Sequence, residues 1–375
     1  MFYALALAAL LAASPSPSPS PAPTPTASPT PTPPWSLHGA FSGYTVHTTN
    51  VNPSGALDTP TGVDLASRTD VSNALLTLSK NTSEFQGSVT VGTYALAVLG
   101  QAINPTTQQS SNSYLYGFVP AYDLAWVPNG DLTVSAGQQA TLLGQEDDFT
   151  FQNYDIERGI VWEAEPTFSR GVRVAYANGK IAGDLEYDDG YYSGNSGRAV
   201  QGLAGWAPTS NTDWSFAFIV PGANTPPNVT TAVANKREFD VMLTQTFGKL
   251  QLEPYLLSIR SPASAALGYT TGESALGAVA LARYAWSSVY SLSGRFEYFT
   301  NHSTTAAISP NADLVGYGPG SRATTWTITP SYHPGPFFLR AEYSLVTVTS
   351  AAAGFGPAGT LTDQSRYLVE LGVQV

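Results

Sequence analysis

Cysteine is absent from this chain. That removes any disulfide framework and any thiolate metal site, and it suits a cytosolic protein and an envelope protein equally. Charge is also scarce. Only 11% of the 375 residues are Asp, Glu, Lys or Arg, against about a quarter in an average globular domain. Bases are the scarcer sign, 16 against 27 acids, for a net charge of −11, and none of them forms a run. Phosphate backbones are held by clustered Lys and Arg, so nucleic acid is excluded as a partner. Histidine occurs at only four positions, His38, His47, His302 and His333. None has the hydroxyl partner and orienting third group that nucleophilic catalysis needs, so neither catalysis nor a cofactor is implied. "GFGPAG" (354–359) fits the G-x-G-x-x-G spacing, but it contains Pro357 and no helix pattern follows. It reads as a mobile loop, not a nucleotide site.

Long apolar runs are missing too. The one candidate, "MFYALALAALLAA" (1–13), is too short to span a bilayer as a helix and has signal-peptide length. It lacks the usual leading Lys or Arg, which marks a weak signal or a misplaced start. Residues 14–34, "SPSPSPSPAPTPTASPTPTPP", have nothing larger than Ala or Pro to bury. They are expected to form an extended, polyproline-like linker. The body, 35–375, is therefore expected to be one unit, and if it enters a membrane it does so as strands.

What the body does have is Ser, Thr, Gln, Asn, 34 Gly and 11% aromatics, with a mean hydropathy near zero. Such a composition suits strands and turns. About sixteen strands are predicted, near 37–48, 70–80, 85–94, 117–127, 132–139, 167–177, 180–189, 198–207, 213–220, 237–247, 249–260, 275–286, 289–300, 321–332, 336–348 and 365–375. Several alternate clearly. In "SLSGRFEYFT" (291–300), Leu292, Phe296 and Tyr298 share one parity and Arg295 and Glu297 the other. Alternate side chains point to opposite faces, so one face is apolar and aromatic and the other charged. In a soluble sandwich the aromatic face meets the core; in a membrane barrel it meets lipid.

The connections decide between the two. Short turns such as "VPNGD", "ANGK", "FGK" and "HPG" alternate with long segments, and Asn-Gly and Pro-Gly are turn chemistry. Aromatics bracket the short turns: Trp126, Tyr176, Trp206, Trp214, Phe247, Trp286, Tyr290, Tyr332 and Phe337. Aromatic rings favour the boundary between hydrocarbon and headgroups. The fold class predicted is all-β: a transmembrane antiparallel up-and-down β-barrel of about sixteen strands, with short periplasmic turns and long external loops. A barrel of this size has a lumen, and a set of charges lies on the parity opposite the aromatics. Arg173, Asp184, Glu186, Glu238, Asp240, Arg295, Glu297, Arg340, Glu342, Arg366 and Glu370 are accordingly predicted to line a pore. "RFE" and "RAE" flank the Thr325, Thr327, Thr329 strand, which suggests an Arg/Glu band across three strands. The longest acidic connection, about 140–166, is predicted to be a constriction. Its Glu146, Asp147, Asp148, Asp155 and Glu157, with Glu163 and Glu165, face a single base, Arg158.

"LTVSAGQQATLLGQEDDFTFQNY" (132–154) and "FSRGVRVAYANGKIAGDLEYDDGYY" (168–192) resemble the type-2, OmpL-like family of β-barrel porins. "HGAFSGYTVH" (38–47) is similar to that family's opening strand and "NALLTLSK" (73–80) to its second. The resemblance implies an outer-membrane channel and supplies no substrate; passage of small hydrophilic solutes, and placement in outer-membrane lipid by the barrel-assembly machinery, are expected of such a barrel. In porins of this size the third external loop folds inward and narrows the pore, and 140–166 is the third; the sequence leaves open whether a homotrimer forms. One departure is the final Val375, where such barrels usually end in an aromatic residue. With an acidic loop across the lumen, mild cation preference is expected. The alternative is a plugged structural or adhesive barrel whose external loops bind a partner.

Overall fold

The computed structural model describes residues 34–51, 65–103, 106, 116–190, 198–222, 236–261, 263, 272–302, 316–318, 320–349 and 354–375. The signal peptide expected at 1–13 and nearly all of the 14–34 linker lie outside them.

Sixteen strands are present. They are β1 (Ser36–Thr48), β2 (Ser67–Lys80), β3 (Phe85–Tyr94), β4 (Ala121–Trp126), β5 (Leu132–Ala140), β6 (Phe168–Asn178), β7 (Ile181–Asp188) and β8 (Ala199–Thr209). The second half comprises β9 (Thr212–Pro221), β10 (Arg237–Phe247), β11 (Leu250–Ser261), β12 (Glu273–Ala285), β13 (Tyr290–Asn301), β14 (Arg322–Tyr332), β15 (Phe337–Thr349) and β16 (Asp363–Gln374). Each pairs antiparallel with its neighbours in sequence, and β1 pairs with β16 from Ala40–Gln374 to Thr48–Arg366. The barrel is closed. Closure satisfies every ladder and leaves no edge, which is what a sheet needs to cross hydrocarbon.

The turn chemistry sets one rim. Gly179, Gly248 and Gly335 sit at φ 60°, 59° and 64° in the two- to four-residue turns after β6, β10 and β14. Only Gly takes that conformation without strain. Trp126, Tyr176, Trp206, Phe247, Trp286, Tyr290, Tyr332 and Phe337 are exposed around this short-turn rim, as an interfacial belt requires. The rest of the outer face is exposed Leu, Val, Ile and Phe.

The inside is not simply wet. A cluster of buried apolar residues joins Leu142, Ile160 and Val161 of the β5–β6 connection to Leu257, Ile259, Val279, Phe299 and Val346 of the wall. "GFGPAG", expected to be a mobile loop, is folded into this cluster. Phe355 is fully buried, exchanges backbone hydrogen bonds with Leu361, and packs edge-on against Tyr317 at 5.6 Å.

Candidate functional site

Residues 141–167, between β5 and β6, form the third long connection, and they run through the barrel interior. Two 3₁₀ turns, Thr150–Gln152 and Trp162–Ala164, bend the segment. It leaves β5 beside Gln201, whose Oε1 accepts from Thr141 Oγ1 at 3.2 Å. The Gly144 amide then donates to Asp240 at 3.0 Å. Glu146 meets Arg295 of β13 at 2.5 Å, with the second carboxylate, Asp155, 4.0 Å from the same guanidinium. Thr150 donates to Glu370 of β16 at 2.7 Å and accepts from the side-chain amide of Asn73 on β2 at 2.5 Å. Tyr154 donates to Glu253 of β11 at 3.0 Å and lies under the Arg283 guanidinium, 5.4 Å from the ring centre. Ile156 donates its amide to Glu342 of β15, and Glu157 pairs with Arg366 of β16 at 2.5 Å. On the return, the amides of Ile160 and Val161 donate to the two oxygens of Glu297 at 3.1 and 3.0 Å. A β-carbon at Gly159 would overlap the Glu297 carboxylate, so glycine is what lets the backbone come this close.

Most of the sequence-predicted site residues are thus drawn into one network. Glu146, Asp155 and Glu157 of the loop meet Arg295 and Arg366 of the wall; Glu297, Glu342 and Glu370 hold loop amides and hydroxyls. Arg340 chelates Glu370, its register partner, and donates to the carbonyls of Thr150 and Asn153, both at 2.9 Å. Thr325 donates to Glu297 at 2.6 Å, Thr329 to Glu342 at 3.0 Å, and Arg295 to Thr327 at 3.2 Å. Arg158 is fully buried, bonds the Ala95 carbonyl at 3.1 Å, and stacks 4.8 Å from Trp162. Arg173 and Glu186 pair with each other at 2.5 Å on β6 and β7, with the buried Asp184 nearby, away from the arginine-rich wall. Asp147 is half-buried and Asp148 buried.

Two expectations change here. The loop acids do not face only Arg158, because Arg295 and Arg366 come from the wall. Nor do the wall charges stand in open water: Arg295 is 2% exposed and Glu297, Glu370 and Glu238 are fully buried. Sequence reading missed the contribution of residues 95–103. Arg158 pairs with this segment through Ala97 and Leu99, and Arg366 donates to Val98 at 2.9 Å. The apolar run "ALAVLG" (95–100) in an otherwise polar connection was its signal.

Burial leaves its mark on the loop carboxyls. It pushes Asp148 up to about 7, against the opposing pull of Arg158. It pushes Asp147 up to about 6 and Glu146 to about 7, with Arg295 opposing. Burial also lowers Arg158 to about 10. In each case removal from water disfavours the charged form.

A closed sixteen-strand antiparallel barrel, aromatic at its short-turn rim and with its third long connection inside, is the architecture of outer-membrane channels. The chain belongs to the family described as "Putative beta-barrel porin-2, OmpL-like", whose model matches residues 34–375, and its place is the bacterial outer membrane. Among solved structures it is similar to the outer membrane channel DcaP of Acinetobacter baumannii, at 9% identity and TM-score 0.59 over 91% of this chain and 97% of that one. It is similar to a loop L8 deletion mutant of OmpT, an outer membrane protein of Vibrio cholerae, at 10% identity and TM-score 0.58 over 91% and 99%. It is also similar to the anion-selective porin from Comamonas acidovorans, at 10% identity and TM-score 0.57 over 91% and 99%. At such identities the likeness is one of fold. No curated protein matches the sequence.

Proposed function

We propose that this porin passes small hydrophilic solutes and ions by passive diffusion, with mild cation preference and no catalysis, and that the loop at 140–166 sets its narrowest section. Glu146, Asp147, Asp148, Asp155, Glu157 and Arg158 form the constriction. Arg173, Asp184, Glu186, Glu238, Asp240, Arg295, Glu297, Arg340, Glu342, Arg366 and Glu370 form the charged wall around it. One observation carries the reading: the loop crosses the lumen and is fastened to β13, β15 and β16 by its own acids and amides. Among the described residues, fourteen acidic side chains are buried against six basic ones. The interior therefore holds excess negative potential, which favours cations. Insertion by the barrel-assembly machinery, assembly as a homotrimer, and a Pro-rich periplasmic tether at 14–34 belong to the same reading.

The plugged barrel is the second reading, and the burial of Arg295, Glu297 and Glu370 beneath the loop favours it. Planar-bilayer recordings separate the two. Steady conductance steps from the wild-type protein support the pore. Silence from the wild type, with steps only when a short Gly-Ser linker replaces residues 145–160, supports the plug.

A further inference from the structure

Where the loop returns toward β6, three carboxylates converge beside β10. Glu165, Glu238 and Asp240 are buried, and one oxygen of each lies within 4.8 Å of the others. Glu165 is 1% exposed, yet neither of its oxygens accepts a well-formed hydrogen bond. Asp240 takes the Gly144 amide at 3.0 Å on Oδ2 and leaves Oδ1 unused. A neutral group, the hydroxyl of Tyr255 on β11, adjoins the cluster. It is beside Glu165, 98% buried, and closes no hydrogen bond of good geometry. The charges that act most strongly on Glu165 are all negative, Asp240, Glu238 and Glu146, and Glu146 is already matched by Arg295 at 2.5 Å. Gly144, at φ 77°, brings its backbone so near that a β-carbon there would overlap the Glu165 carboxylate. One side of the cluster is thus walled by the Gly144 backbone.

We propose that Glu165, Glu238 and Asp240 hold a hard divalent cation of calcium size, which ties the return limb of the loop to the barrel wall. The donor set is all oxygen, with no imidazole or sulfur, which selects hard cations over transition metals. Three carboxylates of adjustable denticity, a hydroxyl and water suit the irregular, oxygen-rich shell of Ca²⁺. Mg²⁺ requires near-octahedral geometry and keeps several waters, which this enclosed position resists. Buried acceptors left unused at Glu165 and Asp240 are costly, and a cation offsets that cost. The site stands whether or not the barrel conducts, since binding and conductance are separate readouts.

The test uses the full chain folded in detergent and stripped with chelator, titrated calorimetrically with CaCl₂ and then MgCl₂. Even an outer-shell change costs about 10–100-fold in metal affinity, so Glu165→Gln should weaken Ca²⁺ binding by at least about tenfold. Ca²⁺ should raise the temperature at which the compact gel band is lost in the wild type and not in the variant, and Mg²⁺ should bind more weakly. In a Tb³⁺-loaded sample, tyrosine-sensitised luminescence should be displaced by Ca²⁺ and reduced in Tyr255→Phe, a change that leaves the carboxylates in place. No Ca²⁺ uptake by the wild type, equal uptake by Glu165→Gln, Mg²⁺ binding as tight as Ca²⁺, or luminescence unchanged in Tyr255→Phe would each overturn the proposal.

Discussion

Arg295 is held by three carboxylates at once: Glu146 at 2.5 Å, Glu297 at 3.6 Å and Asp155 at 4.0 Å. Two of these come from the loop and one from the same strand. A buried ion pair adds little net stability over an apolar pair, but removing one partner costs about 3–5 kcal/mol. Arg295→Ser should therefore leave the barrel wall folded, because no backbone ladder depends on it, while releasing the loop. The expected outcome is unchanged heat-modifiable migration, larger conductance steps and stronger cation preference. The loop acids also predict a pH profile. A folded chain whose Asp148 titrates near 7 and Asp147 near 6 keeps protons that the unfolded chain releases near 3.8. Their contribution to stability is present at low pH and is lost as pH rises through that window. Loop charge grows over the same range, so reversal potentials should show cation preference rising from about pH 5 to about pH 8, and Asp148→Asn should flatten the rise.

At the scale of the strand, the two faces carry opposite demands. Phe296 points outward and packs 4.5 Å from Trp326 on the neighbouring strand, while Arg295 and Glu297 point inward. An arginine at mid-depth on the lipid face costs about 2–4 kcal/mol, so Phe296→Arg should reduce the yield of folded barrel on the heat-modifiability gel. Normal assembly of that variant, with failure of Arg295→Ser, would invert the assignment of faces. Strand parity and turn chemistry were legible in the sequence, and β3 and β10 have the bounds that alternation predicts. β4 is shorter than expected because Gly117, at φ 62°, and Pro120 interrupt the extended run before it. Residues 275–286, "ALGAVALARYAW", lack the apolar–polar alternation of strands such as 291–300, and the cause is physical. The inner face of β12 carries Ala275, Gly277, Val279 and Leu281, which meet Leu257 and the loop's Val161 and not water. The parity of the arginines could be read from the sequence, but their partners could not. Which acid meets Arg295 or Arg366 depends on the path of the loop through the lumen, and local periodicity carries no record of that path.

At the scale of the molecule, the barrel works as a frame and the third loop as its filling. Sixteen ladders close the wall, and the interior is fastened by side chains that the wall supplies. This division predicts that changes to the loop alter permeation, and changes to the outer face alter assembly. On the proposed reading, the excess of buried acids over bases sets the sign of the passage. The most direct test is the reversal potential of the wild-type protein in a planar bilayer under a KCl gradient. The account predicts steady steps with a reversal potential of the sign set by K⁺. A reversal potential of the sign set by Cl⁻, or a bilayer that stays silent with folded protein inserted, would contradict it.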